Sequence, residues 1–306
     1  MAEDAELQQD PHQSNSSIQT TSVLERGFDV LDAFRGGPQT LTFAQIARRS
    51  RLPKSTAHRI IGMLLLTGAL ERQGAAYQLG MRIFALGVES AESRLRSRAL
   101  PVLQELHRRS RQPVHLAVLR QTNVVYLEKL TAAGSISTPA KIGQPLPAHC
   151  TAIGKSLMAA EHDWDRPRAQ LSPLTRNSIT DPGDIRGTLS VIRTRGFAVD
   201  RGESLESLAC LAAPVYLHGS AVAAVSVSFP VGDGSGEALV PMVREASTRI
   251  GRVLSRTLAA GVTRTSGSTA TDHAAFVVEK AAYAPQLDEP AVSNGAGRRG
   301  HRRLQA

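Results

Sequence analysis

Disulfides, membrane spans and catalytic signatures are what this sequence has least of. Its 306 residues include two cysteines, Cys150 and Cys210. Two are too few for a disulfide framework and these lack the close pairing of a zinc knuckle, so both read as reduced thiols. Aromatic residues make up 4% of the chain, which leaves few platforms on which single-stranded bases could stack. No run of about 18 apolar residues occurs, and the opening MAEDAELQQD is acidic and polar. Neither a membrane span nor a secretory signal is legible, and a cytoplasmic location with no membrane partner is expected. There is no G-x-S-x-G elbow, no H-E-x-x-H and no Cys/His cluster; an enzyme of those kinds lacks its signature, and no catalytic residue, metal or cofactor is expected. The segment AIGKS ends like a phosphate loop, but His149 stands where that loop needs its first glycine. No repeat appears at solenoid periods.

What is present is positive charge. The formal charge is +9 and the pI near 10.2, a balance that favours a polyanionic partner without choosing among DNA, RNA and an acidic membrane surface. The length suits one large domain or two smaller ones. Residues 1–17 and 261–306 are polar or small-residue tracts expected to be disordered tails, the second ending in GRRGHRRLQA. Between them the texture changes near Pro101, from short helical patterns and a hairpin to strand-like runs such as VHLAVLR, NVVYLEKL and AVAAVSVSF interleaved with helices. An α+β chain with a small helical-plus-wing domain ahead of a larger one follows.

The first domain is the more explicit. Ser22 and Glu25 make a capping box, after which Leu24, Phe28, Leu31 and Phe34 recur at helical spacing until Gly36-Gly37-Pro38. Thr42 and Gln45 make a second box, opening a short helix with Phe43, Ile46 and Ala47 on its apolar side, and Thr42 is also a candidate DNA contact. Pro53 suits the first turn of a third helix, whose Ala57, Ile60, Ile61 and Leu64 share one face. The opposite face then presents Lys54, Ser55, Thr56, His58 and Arg59, donors suited to base edges and phosphates, with Gly62 permitting close approach. That is a helix-turn-helix with its recognition helix, and Arg59 is the expected base contact. Ala69–Arg72 and Ala76–Leu79 read as a hairpin around Gln73-Gly74-Ala75, a wing whose Arg72 and Gln73 can meet a minor-groove edge or a phosphate. From Thr21 to Arg82 there are nine Lys or Arg against four Asp or Glu, so this region carries more than its share of the charge. Winged modules that bind protein use the same elements, which leaves open a small-molecule-binding or enzymatic protein whose helical N-terminus makes protein rather than DNA contacts.

In the second domain Thr151 can cap a helix from Ala152 to Ala160, whose free N–H groups and dipole would receive a carboxylate. His149 and Thr151 are candidates on that helix-end geometry. Ser226 and Ser228 share a strand face at period two and can donate to one ligand. Packing gives each of these an ordinary alternative: His149 as a turn residue bonded to backbone, Cys210 as a small buried hydrophobe, the serines as strand residues on a polar face.

SVLERGFDVLDAF, LTFAQIARRSRLPKSTAHRIIGML and the wing ending YQLG resemble the isocitrate-lyase-regulator (IclR) family of transcription factors. The likeness continues through LPAHCTAIGKSLMA, NSITDPGDI, IRTRGFAVDRGE, LACLAAPV and AVSVSFP, spanning roughly Ile18 to Ala259. It implies a winged helix-turn-helix over 18–80, a linking and dimerising helix from about Met81 to Arg96 within 81–97, and a GAF-like effector domain over 98–260. It further implies a cytoplasmic homodimer or dimer of dimers on double-stranded operator DNA, answering to a small organic acid. Ala152, Ile153, Asp200, Leu208, Cys210, Ser226 and Ser228 fall at the family's effector-pocket positions. Gly202 stands where a second acidic residue is common before Glu203, and Ser207 where a glycine is common, so the family does not supply the effector's identity.

Overall fold

The computed structural model describes residues 22–161, 171–234 and 236–262, with side chains through Arg256. The tail expected at 1–17 lies outside the described residues, as does the one expected at 261–306 except for Gly261 and Val262, which are helical. The described residues divide into two compact units, the first ending at Arg94 and the second beginning at Leu95.

Unit one holds α1 (Val23–Asp32), β1 (Leu41–Thr42), α2 (Phe43–Arg49), α3 (Lys54–Leu66), β2 (Leu70–Gln73), β3 (Ala76–Leu79) and α4 (Met81–Val88). Both capping boxes form: the Ser22 and Thr42 hydroxyls accept the N–H of Glu25 and Gln45, and those side chains accept the cap N–H in return. Pro53 takes the N-cap position of α3, where its missing N–H costs nothing. Gly74, at φ 60, turns the hairpin in a conformation glycine adopts without strain. The two-residue β1 adds a third strand in the order β1-β3-β2, pairing Leu41 with Tyr77. Leu41, Ile46, Ile60 and Leu70 are almost fully buried between helices and sheet, each contributing about 2 kcal/mol.

Two expectations need correction. Only the second half of the apolar stripe on α1 reaches the core: Phe34 is buried with Val30 and Ala33 and Leu31 packs against them, while Leu24 is 71% and Phe28 54% exposed. Periodicity reveals an apolar stripe but not which surface covers it. Nor is the helix from Met81 to Arg96 continuous. It is broken at Glu89-Ser90, because the Ser90 hydroxyl accepts the Ser93 N–H at 3.1 Å and opens a new helix. That helix, α5 (Ala91–Ser110), carries Pro101 in its interior, so the textural change there is not a boundary.

Unit two is a six-stranded antiparallel sheet between two helical layers. Its strands are β4 (Val114–Arg120), β5 (Asn123–Leu130), β6 (Pro145–Pro147), β7 (Ala198–Arg201), β8 (Leu208–Leu217) and β9 (Ser220–Pro230), in the order β6-β5-β4-β9-β8-β7. One face packs Leu116, Leu211, Val225 and Val227 against α5 and α8 (Gly236–Val262). The other packs Ala117, Tyr126, Ala212 and Ala224 against α6 (Ala152–Ala160) and α7 (Pro182–Arg195). The α+β architecture is as expected. No helix among the described residues is long and apolar enough to cross a membrane.

Candidate nucleic-acid interface and ligand cavity

The turn between α2 and α3 places Arg51 at φ 57, an uncommon conformation for a residue with a side chain. It leads directly into α3, where Lys54, Ser55, His58 and Arg59 are exposed and Thr56 half-buried. The His58 ring meets Phe43 edge-on, with centroids 6.1 Å apart, which orients it. The first α3 hydrogen bond from within or beside the helix is Ala57 N–H to the Pro53 carbonyl. The N–H groups of Lys54, Ser55 and Thr56 therefore stay open, in the arrangement that receives phosphate.

Not every basic side chain is available. Arg49 donates to the Ala33 carbonyl at 2.8 Å and Arg82 to that of Thr67 at 2.9 Å; both are committed to the fold. Arg72 lies across the Tyr77 ring at 5.4 Å and donates to its hydroxyl at 3.3 Å, which fixes a guanidinium that is still exposed on the wing. Gln73 is exposed at the end of β2, opposite Ala76. Thr42 is exposed, but its hydroxyl is engaged in capping α2. Arg48, exposed on α2 and without an ion pair among the described residues, belongs with Lys54 and Arg59 as an unspent cation. Its place in a polar pair, Arg48-Arg49, gave no sign of which arginine the fold would use.

In unit two the cross-strand register assembles the expected residues. Asp200 pairs with Cys210, Cys210 with Ser228, and Ser226 with both Ala212 and His115. These side chains, with Leu208, Thr151, Ala152 and Ile153, line one cavity beneath the start of α6. Its empty volume is about 280 Å³, yet its walls approach so closely that free room remains for only about one water. Thr151 accepts the Gly154 N–H at 2.9 Å and donates to Ala148 at 3.2 Å, leaving the N–H groups of Ala152 and Ile153 without a partner among the described residues. Asp200 is fully buried; its oxygens accept the Glu203 N–H and the Ser204 hydroxyl, both at 2.6 Å. Burial pushes its carboxyl above the usual range. The Cys210 thiol lies 3.1 Å from the Ser228 hydroxyl and is held protonated by burial.

His149 is the exception. It sits in the 3-10 turn Ala148–Cys150 with its ring against the Ser172 carbonyl at 3.1 Å, and it does not line the cavity. Six lining residues escaped the sequence reading: His115, Tyr126, Thr138, Pro139, Ala140 and Ser204. A signal existed for two of them, since His115 and Tyr126 interrupt otherwise apolar strand runs. Behind α6, Lys155 and Glu203 form a buried ion pair. Among the described residues no cluster suited to a metal occurs.

A winged helix-turn-helix joined in one chain to a domain with a small internal cavity defines a class: DNA-binding regulators that answer to small molecules. The IclR helix-turn-helix model matches residues 23–74, and the model for the bacterial transcriptional regulator IclR C-terminal domain matches residues 90–252. The chain is 31% identical over 244 residues to the HTH-type transcriptional regulator XynR of Escherichia coli K12, covering 77% of this chain and 96% of that one. It is 33% identical over 247 residues to the glycerol operon regulatory protein of Streptomyces griseus, covering 76% and 95%. A crystal structure of an IclR homolog from Microbacterium hydrocarbonoxydans complexed with 4-hydroxybenzoate superposes with a TM-score of 0.70 at 31% identity, covering 76% and 99%. The chain belongs to the IclR family of DNA-binding transcriptional regulators.

Proposed function

We propose that this regulator binds paired operator half-sites as a homodimer or dimer of dimers, and that a small carboxylic acid entering the unit-two cavity controls that binding at a cytoplasmic catabolic operon. No catalytic role is assigned to any residue. Arg59 reads a base; Lys54, Ser55, Thr56 and His58 share base and phosphate contacts; Thr42, Arg72 and Gln73 reach the backbone or the minor-groove edge. The acid's carboxylate is received by the Ala152 and Ile153 N–H groups, and Thr151, Asp200, Leu208, Cys210, Ser226 and Ser228 form its walls.

The observation that carries the acid is the pair of open N–H groups at the start of α6, facing a buried cavity. The 4-hydroxybenzoate held by the Microbacterium relative is an acid of that kind, and a glycerol operon regulator among the relatives supports a catabolic target. Self-association is supported by the apolar faces left open in unit one, Leu24 and Phe28 on α1 and Met81, Phe84 and Leu86 on α4. Effector binding changes the relative placement of the two recognition helices in the dimer, and the coupling is reciprocal.

The experiment is an anisotropy titration of the protein against its own upstream duplex and a scrambled control at two salt concentrations. A steep salt slope and preference for the native duplex are expected, with Arg59→Ala weakening specific binding by about 1–3 kcal/mol. An unchanged affinity in that variant sinks the assignment of α3 as the reading helix. Sedimentation of Phe28→Glu and Phe84→Glu tests the interface, and variants that sediment like the parent chain remove it.

A further inference from the structure

Unit two carries a second concavity, on the side of the sheet covered by α8 and away from the cavity beneath α6. It lies where α8 crosses the end of β8, encloses about 470 Å³ and shares no lining residue with that cavity. Small-molecule sites run from roughly 300 to 1,000 Å³. Helix and strand meet closely along it: a Cβ at Gly251 would stand 2.6 Å from the Tyr216 carbonyl oxygen, and the Ser247 hydroxyl donates to the Pro214 carbonyl at 2.5 Å.

The chemistry of this groove is one-sided. Arg252 and Arg256, one turn apart on α8, are exposed in it, and neither has a hydrogen bond or an ion pair among the described residues. No carboxylate lines the groove. Of the two acidic residues on α8, Glu237 and Glu245, the second is shared by Arg109 and Arg249 at 2.9 and 3.7 Å. The helix hydroxyls are spent as donors, Thr248 on the Arg244 carbonyl and Ser255 on that of Gly251, both at 3.0 Å. The remaining donor is Tyr216, the one exposed residue of β8. A β-bulge falls between Val215 and Tyr216, where the pairing with β9 passes over Val222, and bulges re-aim side chains beside functional sites. The Tyr216 hydroxyl has no partner among the described residues, and partial burial pushes its phenol up, so it donates at neutral pH.

We propose that this groove is a second ligand site, distinct from the effector cavity, and that it takes a small organic phosphate monoester, the phosphate held by Arg252, Arg256 and Tyr216 and the organic body lying along the tyrosine ring. Near pH 7 a phosphate monoester approaches two negative charges and offers three acceptor oxygens, which matches two guanidinium groups and one phenol. A carboxylate leaves one cation uncompensated. Guanidinium forks also engage phosphate oxygens in pairs. With the two concavities on opposite faces of the sheet, both can be occupied at once.

Titration calorimetry of the full chain tests this with phenyl phosphate and glucose 6-phosphate, each set against a carboxylate counterpart, benzoate and gluconate. At least one ester is expected to bind saturably, and Arg252→Gln with Arg256→Gln to weaken it by at least about tenfold, the loss of one charge-assisted hydrogen bond. Tyr216→Phe should weaken the same ester by about threefold. These variants should leave any binding of benzoate or gluconate unchanged, and Lys54→Ala with Arg59→Ala, which removes cations from the DNA-reading face, should leave the ester's affinity as it is. Failure of both esters to bind, or binding that loss of the arginine pair does not weaken, overturns the proposal and leaves operator reading by α3 and acid binding at α6 untouched. If no ester binds and the arginine variant instead flattens the salt dependence of duplex binding, the pair belongs to the DNA backbone. If that variant loses self-association in sedimentation, the groove is an interface between copies of the chain. Either result overturns the small-ligand site.

Discussion

Lys155 and Glu203 are buried against each other, their side chains 1% and 9% exposed, with no other ion-pair partner among the described residues. Removing one partner strands a charge in the interior, at a cost of about 3–5 kcal/mol. Glu203→Leu leaves an ammonium group with no carboxylate and should sit at the top of that range. Lys155→Met leaves a carboxyl group that burial already pushes above its usual range; it can take up a proton, which places this variant lower. Replacing both, Lys155→Met with Glu203→Leu, removes both desolvation penalties at similar volume and should cost under about 1 kcal/mol. One kcal/mol moves the midpoint of a domain of this size by about 2–4 °C, so each single variant should melt about 10 °C below the parent and the double variant close to it. Urea unfolding followed by circular dichroism gives the free energies of all four proteins. Additive single losses, or single losses under about 1 kcal/mol, would show that the pair is not a buried, mutually dependent unit.

At Gly154 an added Cβ would lie 2.1 Å from the Ala148 carbonyl oxygen and 2.4 Å from its Cα. Gly154→Ala should therefore lift the first turn of α6, cost at least about 2 kcal/mol and weaken acid binding in calorimetry; unchanged binding would show that α6 has room there. His115, with its pKa lowered to about 3, stays neutral in the folded chain while the unfolded imidazole gains a proton below about pH 6.5. Stability is accordingly retained above that pH and falls by about 1.4 kcal/mol per unit on acidification toward pH 3. His115→Asn should flatten the slope by one proton, and an identical slope would mean that His115 is charged in the native state. Thr42→Ala removes the α2 cap and should cost about 1 kcal/mol in thermal unfolding of unit one, whereas Thr42→Ser should not; equal losses would assign the effect to the lost methyl group.

Unit one was legible where its structure is local. The capping boxes at Ser22 and Thr42, the glycine turn of the wing and the buried face of α3 each depend on residues within a few positions of one another. The strand β1 was not, because two residues carry no period and Leu41 is recruited only by pairing with distant Tyr77. The exposure of Leu24 and Phe28 on α1 was equally illegible, since a stripe meant for a second surface has the same spacing as one meant for the core. In unit two the helix start at Thr151 was readable from one capping residue. The wall made by His115, Tyr126 and Thr138 was not, because it exists only when β4, β5 and the segment before β6 come together across the sheet. His149 shows the reverse error: adjacency to Thr151 in sequence suggested a shared site, and the 3-10 turn in which it sits directs its ring to the Ser172 carbonyl.

Gly202, a departure from the family's common acidic residue, follows from the same cavity. Its φ of 79 lies in the left-handed region, and a Cβ there would meet Asn177 Nδ2 and the Glu206 carbonyl oxygen, both at 2.9 Å. Only glycine lets the chain turn this tightly after β7. The turn brings the Glu203 N–H to Asp200 on the cavity wall and sends the Glu203 side chain to Lys155 in α6. Asp200, the turn and the first half of α6 are therefore one hydrogen-bonded assembly, with the cavity on one side of it and the buried pair on the other. A ligand that separates the cavity walls must displace α6 or the turn, and the Lys155–Glu203 pair makes either move shift both.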